Sequence, residues 1–161
     1  MSETVALQEW MNAAVEATVE TANAILGVET RVVEAPPALE TRQFPGAYIG
    51  LTAPNQAVQV GLVARPEALQ AIAKAMLGMA PEDEDLPSSD VADAVGELAN
   101  IFAGAIKQRM LPRVGALGLG LPLFINGHIE PTEKLTIQAV DLQLGSVASS
   151  LLVIREREGA R

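Results

Sequence analysis

From Ser88 to about Met110 the chain reads SSDVADAVGELANIFAGAIKQRM, and its apolar and polar positions recur with the period of a helix. At about 100° per residue, Val91, Val95, Leu98, Phe102, Ala105 and Ile106 cover one side. Asp93, Glu97, Asn100, Gly104 and Lys107 fall within a narrow arc on the other. A solvated helix face usually carries long charged side chains, whereas this arc holds short ones and a bare glycine. Asn competes for backbone hydrogen bonds inside a helix, and Gly costs roughly 1 kcal/mol there relative to Ala. Two unfavourable choices beside a carboxylate suggest a face kept open for docking. Pro112 closes this helix in the sequence reading.

The remaining pattern surrounds that helix with strands. Thr4 to Leu26 predicts a first helix with Val5, Trp10, Ala13, Ala14, Ala17 and Ala24 on its buried side and Gly27 as its stop. Val28–Glu34 is strand-like, and Pro36–Pro37 forces a loop after it. Gly46–Thr52 and Ala57–Ala64 read as a strand pair turned at Ala53–Gln56. Pro66 opens a helix that stops at Gly78. The acidic run Ala80–Pro87 reads as a solvated linker between two halves, with Ser88 or Ser89 as the N-cap of the next helix. Three strands finish the chain: Leu121–Ile129, Leu135–Leu144 and Val147–Arg155. Pro131–Lys134 turns the first pair and Gly145–Ser146 makes a tight hairpin of the second. The expectation is a single α+β domain over residues 1–161, antiparallel strands packed with three main helices.

Composition narrows the function. With 161 residues and 49% hydrophobic content but few aromatics, the core is aliphatic. The absence of cysteine excludes disulfides, thiolate metal sites and Cys catalysis. A net charge of −9 without a basic patch argues against nucleic acid. The N-terminus lacks the pattern of a signal peptide and no apolar run reaches the ~20 residues of a membrane span, so the expected location is the cytoplasm.

The candidate chemistry is sparse. His128 has no nucleophile signalled near it and reads as a packed or turn residue. The stretch Val114–Pro122 is glycine-rich but lacks the phosphate-loop spacing. Asp90, Asp93 and Glu97 are too few convergent oxygens to argue a metal site. Glu97 and Asn100 remain, three residues apart and therefore neighbours on the helix. An Asn amide carries donors and an acceptor, so it can orient a water molecule but cannot deprotonate it. Orientation alone serves hydrolysis of a good leaving group such as an acyl phosphate. A solvated polar stripe is the competing reading.

These residues resemble the signature of the CheC/CheX/FliY chemotaxis phosphatases, most closely the single-unit CheX branch. That signature is Asp or Ser, three residues, Glu, two residues, Asn, and a proline a little over twenty residues on. Here it reads Asp93-Ala-Val-Gly-Glu97-Leu-Ala-Asn100, with Pro122 after 21 intervening residues, about one short of the usual spacing. The N-terminal helix ending in LGVET, the paired strands and the PEALQAIAKAMLGM helix are similar in order and length. The resemblance implies a CheC/CheX-like fold. It implies a phosphatase acting on the aspartyl phosphate of a CheY-like receiver domain, with Asn100 orienting the attacking water and Glu97 pairing with the receiver's active-site lysine. Asp93 and Pro122 would support the motif, and Gly104 and Lys107 would contact the partner. The chain would need no cofactor of its own, the Mg²⁺ being the receiver's, and it would form a homodimer through sheet edges. The alternative within the same fold is a non-catalytic receiver-binding module resembling the middle domains of flagellar switch proteins.

Overall fold

The computed structural model describes residues 4–35 and 43–159. Pro36 and Pro37 fall outside them. Within the described residues the elements are α1 (Leu7–Leu26), β1 (Thr30–Val32), β2 (Gly46–Ala53), β3 (Gln56–Val63), α2 (Pro66–Met76), α3 (Ser88–Val114), β4 (Gly118–Leu119), β5 (Leu123–Ile125), β6 (Leu135–Leu144) and β7 (Val147–Glu156). The strands form one antiparallel sheet in the order β1-β6-β7-β3-β2, with β4 and β5 both lying along the outer edge of β2. The expected α+β class and three helices are therefore observed.

Alternation along the strands gives the sheet two unlike faces. One face presents Ile49, Leu51, Val58, Val60, Leu62, Leu142, Leu144, Leu151 and Val153 to the three helices, which contribute Trp10, Met11, Leu69, Ile72, Val95, Leu98, Phe102 and Ile106. All are almost fully buried and, apart from two aromatics, aliphatic or thioether. The other face carries a smaller cluster around Tyr48, Val63 and Leu152. The β5–β6 connection runs across this face, because β2, β3 and β7 lie between its two ends, and it seats Ile129 on the cluster. The Tyr48 ring lies on Gly61 of the neighbouring strand, where an added Cβ would come within 2.5 Å of it. Burial pushes the pKa of the Tyr48 phenol up to about 12, and among the described residues its hydroxyl has no hydrogen-bond partner.

Turns follow their residues. The β2–β3 hairpin closes on Pro54–Asn55 alone, since Ala53 and Gln56 already pair. Gly145 turns β6 into β7 at φ 62°, and Gly27 ends α1 at φ 65° with its N–H bonded to the Asn23 carbonyl. Ala24 lies on the exposed side of α1, not the buried side expected for it; the buried stripe instead ends with Thr18 and Ala22.

Several boundaries differ from the sequence reading. α3 passes through Pro112 and ends at Val114. Proline there forfeits a single backbone bond near the helix end, while continuation buries Val114 and leads to buried Leu117. The N-cap is Pro87, and no serine side chain caps the helix; the Pro87 carbonyl accepts from Asp90 and Val91. Of the single strand expected over 121–129 only Leu123–Ile125 forms one, β5, and it pairs with β2 rather than β6; β4 lies ahead of that range and pairs with β2 as well. Leu51 faces Leu119 and Tyr48 faces Leu123, so Gly120, Leu121 and Pro122 oppose only Ile49 and Gly50. That is a bulge, and proline is tolerated in such an edge position because it has no N–H to give a ladder. Pro131–Lys134 consequently ends the crossing connection instead of turning a hairpin.

Candidate functional site on helix α3

α3 rests on β2 between α1 and α2. Val91, Val95, Leu98, Phe102 and Ile106 are buried, and Ala105 is half-buried. On the opposite side Asp93 and Glu97 are exposed, while Asn100, Gly104 and Lys107 are half-buried. The predicted stripe thus lies on one outward edge of the helix. Among the described residues, no side-chain hydrogen bond or ion pair engages Asp93, Glu97, Asn100 or Lys107. The Glu97 carboxylate and Asn100 amide are separated by three residues, about 4.5 Å along the axis, and both are free to meet an external group. A Cβ placed on Gly104, one turn further, would meet nothing within 4 Å, so backbone is accessible at that point.

Pro122 is joined to this helix through Gly96. A Cβ at Gly96 would lie 3.4 Å from the Pro122 Cβ. The edge bulge is therefore held against α3 one residue before Glu97. Gly120 anchors the same segment by donating its N–H to the Gly50 carbonyl at 2.8 Å. Gly96 is absent from the polar stripe, and sequence reasoning passed over it; its signal was a second glycine inside a helix, a choice that costs stability unless something packs close.

The neighbouring charges behave differently. Arg109 pairs with Glu16 and Glu20 of α1, and Arg113 pairs with Glu9, whose carboxyl this guanidinium holds below its ordinary value. The loop 80–87, expected to be a solvated linker, is built around a buried ammonium. Lys74, 5% exposed, donates to the carbonyls of Pro81 and Asp83 and to Asp85 Oδ1 at 3.3, 2.7 and 2.8 Å. Gln70 further ties α2 to this loop through both the N–H and the carbonyl of Leu86. His128 is exposed, with Glu130 3.8 Å away.

The site is an edge, not a pocket. Among the described residues neither Glu97 nor Asn100 lines any of five well-formed cavities, one of which is a groove of about 580 Å³ on the helix-free face between Tyr48, Leu121, Leu123 and Ile137. Among the described residues, no cluster of three or more His, Asp or Glu side chains could hold a metal ion, and no helix is long and apolar enough to cross a membrane. A protruding carboxylate and amide cannot enclose a small substrate. They can enter the cleft of another protein.

The helix-backed sheet with this edge strand is the CheC/CheX-like fold. Residues 45–140, more than half of the chain, match the family described as chemotaxis phosphatase CheX, and the chain belongs to that family. Among solved structures it is similar to a CheX chemotaxis protein from Desulfovibrio desulfuricans (20% identity over 92% of this chain and 99% of that one, TM-score 0.71). It is also similar to CheX from Vibrio vulnificus (17% identity, 96% and 100%, TM-score 0.74). A third similar chain belongs to the CheX–CheY–BeF3–Mg²⁺ complex from Borrelia burgdorferi (16% identity, 92% and 98%, TM-score 0.66). No curated protein matches the chain.

Proposed function

We propose that this chain hydrolyses the aspartyl phosphate of a CheY-like receiver domain in chemotaxis or a related two-component circuit. The observation that carries the reading is the pair Glu97 and Asn100, adjacent on the outward edge of α3 and, among the described residues, engaged by no side-chain hydrogen bond or ion pair. Asn100 enters the receiver's cleft and holds a water in line with phosphorus. The water oxygen bonds to phosphorus as the aspartyl oxygen leaves as carboxylate, and the water's protons depart with inorganic phosphate. Catalysis here is positioning, for which an amide suffices. Glu97 pairs with the receiver's lysine and fixes the register of the two surfaces. Pro122 supports this arrangement by its contact with Gly96; Asp93, Gly104 and Lys107 border the contact.

Mg²⁺ in this reading belongs to the receiver, consistent with the chemistry named for the Borrelia burgdorferi complex. The reaction takes place in the cytoplasm. The chain acts as one unit over residues 1–161 and pairs with a second copy through a sheet edge. In support, β1 pairs only with Leu142–Leu144 of β6, and among the described residues no strand covers the free side of Leu135–Val140.

The test is a dephosphorylation assay. CheY-like receivers from the source organism are phosphorylated with a small-molecule donor, the donor is removed, and decay is followed with wild-type protein and with Asn100→Ala. Faster decay with wild type alone supports the proposal. Binding of phosphorylated receiver without acceleration rejects it in favour of the non-catalytic receiver-binding module. Glu97→Ala is expected to weaken docking about tenfold, in the range for loss of a charge pair at an interface.

A further inference from the structure

The backbone of β6 turns alternate groups to its two sides, and only one side is filled along its whole length. Val33 donates its N–H to the Asp141 carbonyl on the β1 side, and Gly145 donates to the Glu29 carbonyl on that same side. Just before the strand, the Lys134 carbonyl accepts from Arg157 on the β7 side. Bonding direction alternates along an antiparallel strand. Odd-numbered residues of β6 therefore turn their backbone groups outward, and even-numbered ones turn theirs to β7. Val33 and β1 occupy the outward positions from Asp141 onward, and the Leu135 N–H is bonded to the Thr132 carbonyl. Among the described residues this leaves open the carbonyl of Leu135 and both backbone groups of Ile137 and of Ala139. The stretch Leu135–Val140 contains no proline and no charged residue, which are devices that keep sheet edges apart.

We propose that a second copy of this chain pairs antiparallel with this edge in one register, with Ile137 on the two-fold axis. The inference deepens the sheet-edge pairing given above and does not depend on the phosphatase chemistry. Residues that face each other across an antiparallel pair share a face of the sheet, so the axis passes through a residue and not between two. An axis at Gln138 sets Leu135 of the second copy against Asp141, where Val33 already lies. An axis at Thr136 sets Ala139 against Glu133, in the turn before the strand. An axis at Ile137 meets neither obstacle. The two Ile137 residues then exchange both N–H···O bonds, and each Ala139 N–H meets the Leu135 carbonyl of the other copy. The occupant is argued by this self-matching of open groups and by charge. The chain carries a net charge of −9, and an uncharged edge lets two acidic copies meet without like charges in contact. Ile137 is half-buried and packs on the cluster of Tyr48, Val63 and Leu152 on the helix-free face. Its meeting with its own copy joins the two small clusters and removes more apolar surface from water.

The chain has no cysteine, so single cysteines report the register directly. Bonded antiparallel pairs hold their Cα atoms about 5.5 Å apart, within the ~4.4–6.8 Å that a disulfide spans. Ile137→Cys should therefore cross-link to its own copy under mild oxidation, with loss of most of the monomer band on a non-reducing gel. At positions 138 and 139 the like residues lie about 8 and 14 Å apart in this register, so Gln138→Cys and Ala139→Cys should stay uncross-linked. Light scattering should give wild type twice the chain mass. Ile137→Lys should give the mass of one chain while keeping a cooperative melt. A monomeric wild type overturns the inference together with the sheet-edge pairing. A dimer that does not cross-link most strongly at Ile137→Cys overturns the register, and one that Ile137→Lys leaves intact overturns the use of this edge. None of these readouts involves a receiver, so this inference and the phosphatase reading fail separately.

Discussion

Two acidic regions stand next to each other in this chain and are organised in opposite ways. In residues 80–87 the backbone carbonyls of Pro81 and Asp83 and the carboxylate of Asp85 turn onto Lys74, whose ammonium is buried and fully occupied. Along α3, Asp93, Glu97, Asn100 and Lys107 make no side-chain bond within the described protein. The loop is a structural clasp between α2 and the start of α3. The stripe is a set of polar groups that no described side chain engages. The density of charge in the sequence does not tell them apart. What distinguishes them is whether a buried counter-group exists, because a buried ammonium has to collect acceptors while exposed groups need none.

Substitutions can break this contrast. Asn100→Ala should have the largest effect, lowering receiver dephosphorylation at least about 100-fold, the usual cost of losing a group that positions the reacting atoms, with melting temperature unchanged. Lys74→Met should do the reverse. It leaves two carbonyls without their donor and should cost about 1–3 kcal/mol, read as a melting temperature several degrees lower, with the rate at saturating phosphatase retained. Gly104→Ala sharpens the comparison further. Open space over that position predicts a more stable helix by about 1 kcal/mol, or roughly 2–4 °C in melting temperature, together with weaker docking if a partner's surface sits there. A stabilised protein with undiminished docking would remove Gly104 from the interface. Arg109→Ala should be smallest. Its ion pairs to α1 are at the surface and should be worth no more than about 1 kcal/mol, falling further in high salt.

The helices, the β2–β3 and β6–β7 hairpins and the polar stripe were legible because each depends on local period or on a turn residue. Val95, Leu98, Phe102 and Ile106 point inward on α3 as spacing alone requires. What the sequence hid depends on contacts between distant segments. Pro112 read as a helix stop, yet the burial of Val114 and Leu117 outweighs one missing bond. Leu121–Ile129 read as a strand for β6, but pairing with β2 draws its first part to the other edge and converts Gly120–Pro122 into a bulge. The link between Pro122 and Gly96 spans 26 positions (122 − 96), and the second helical glycine marks a close contact without naming its partner. Nothing local marks Lys74 within its amphipathic helix, because its acceptors come from the loop that folds back over it.

The bulge also governs how this sheet can grow. A flat edge strand is a template for another chain, and proteins blunt such edges with prolines and bulges. Pro122 and the irregular ladder around it blunt the β2 side, while Leu135–Val140 on the β6 side presents an uninterrupted run of backbone groups. In the proposed dimer β6 meets β6, and that single event consumes this edge of both copies. Head-to-tail stacking into a filament needs two open edges per molecule, and the bulge blunts the second among the described residues.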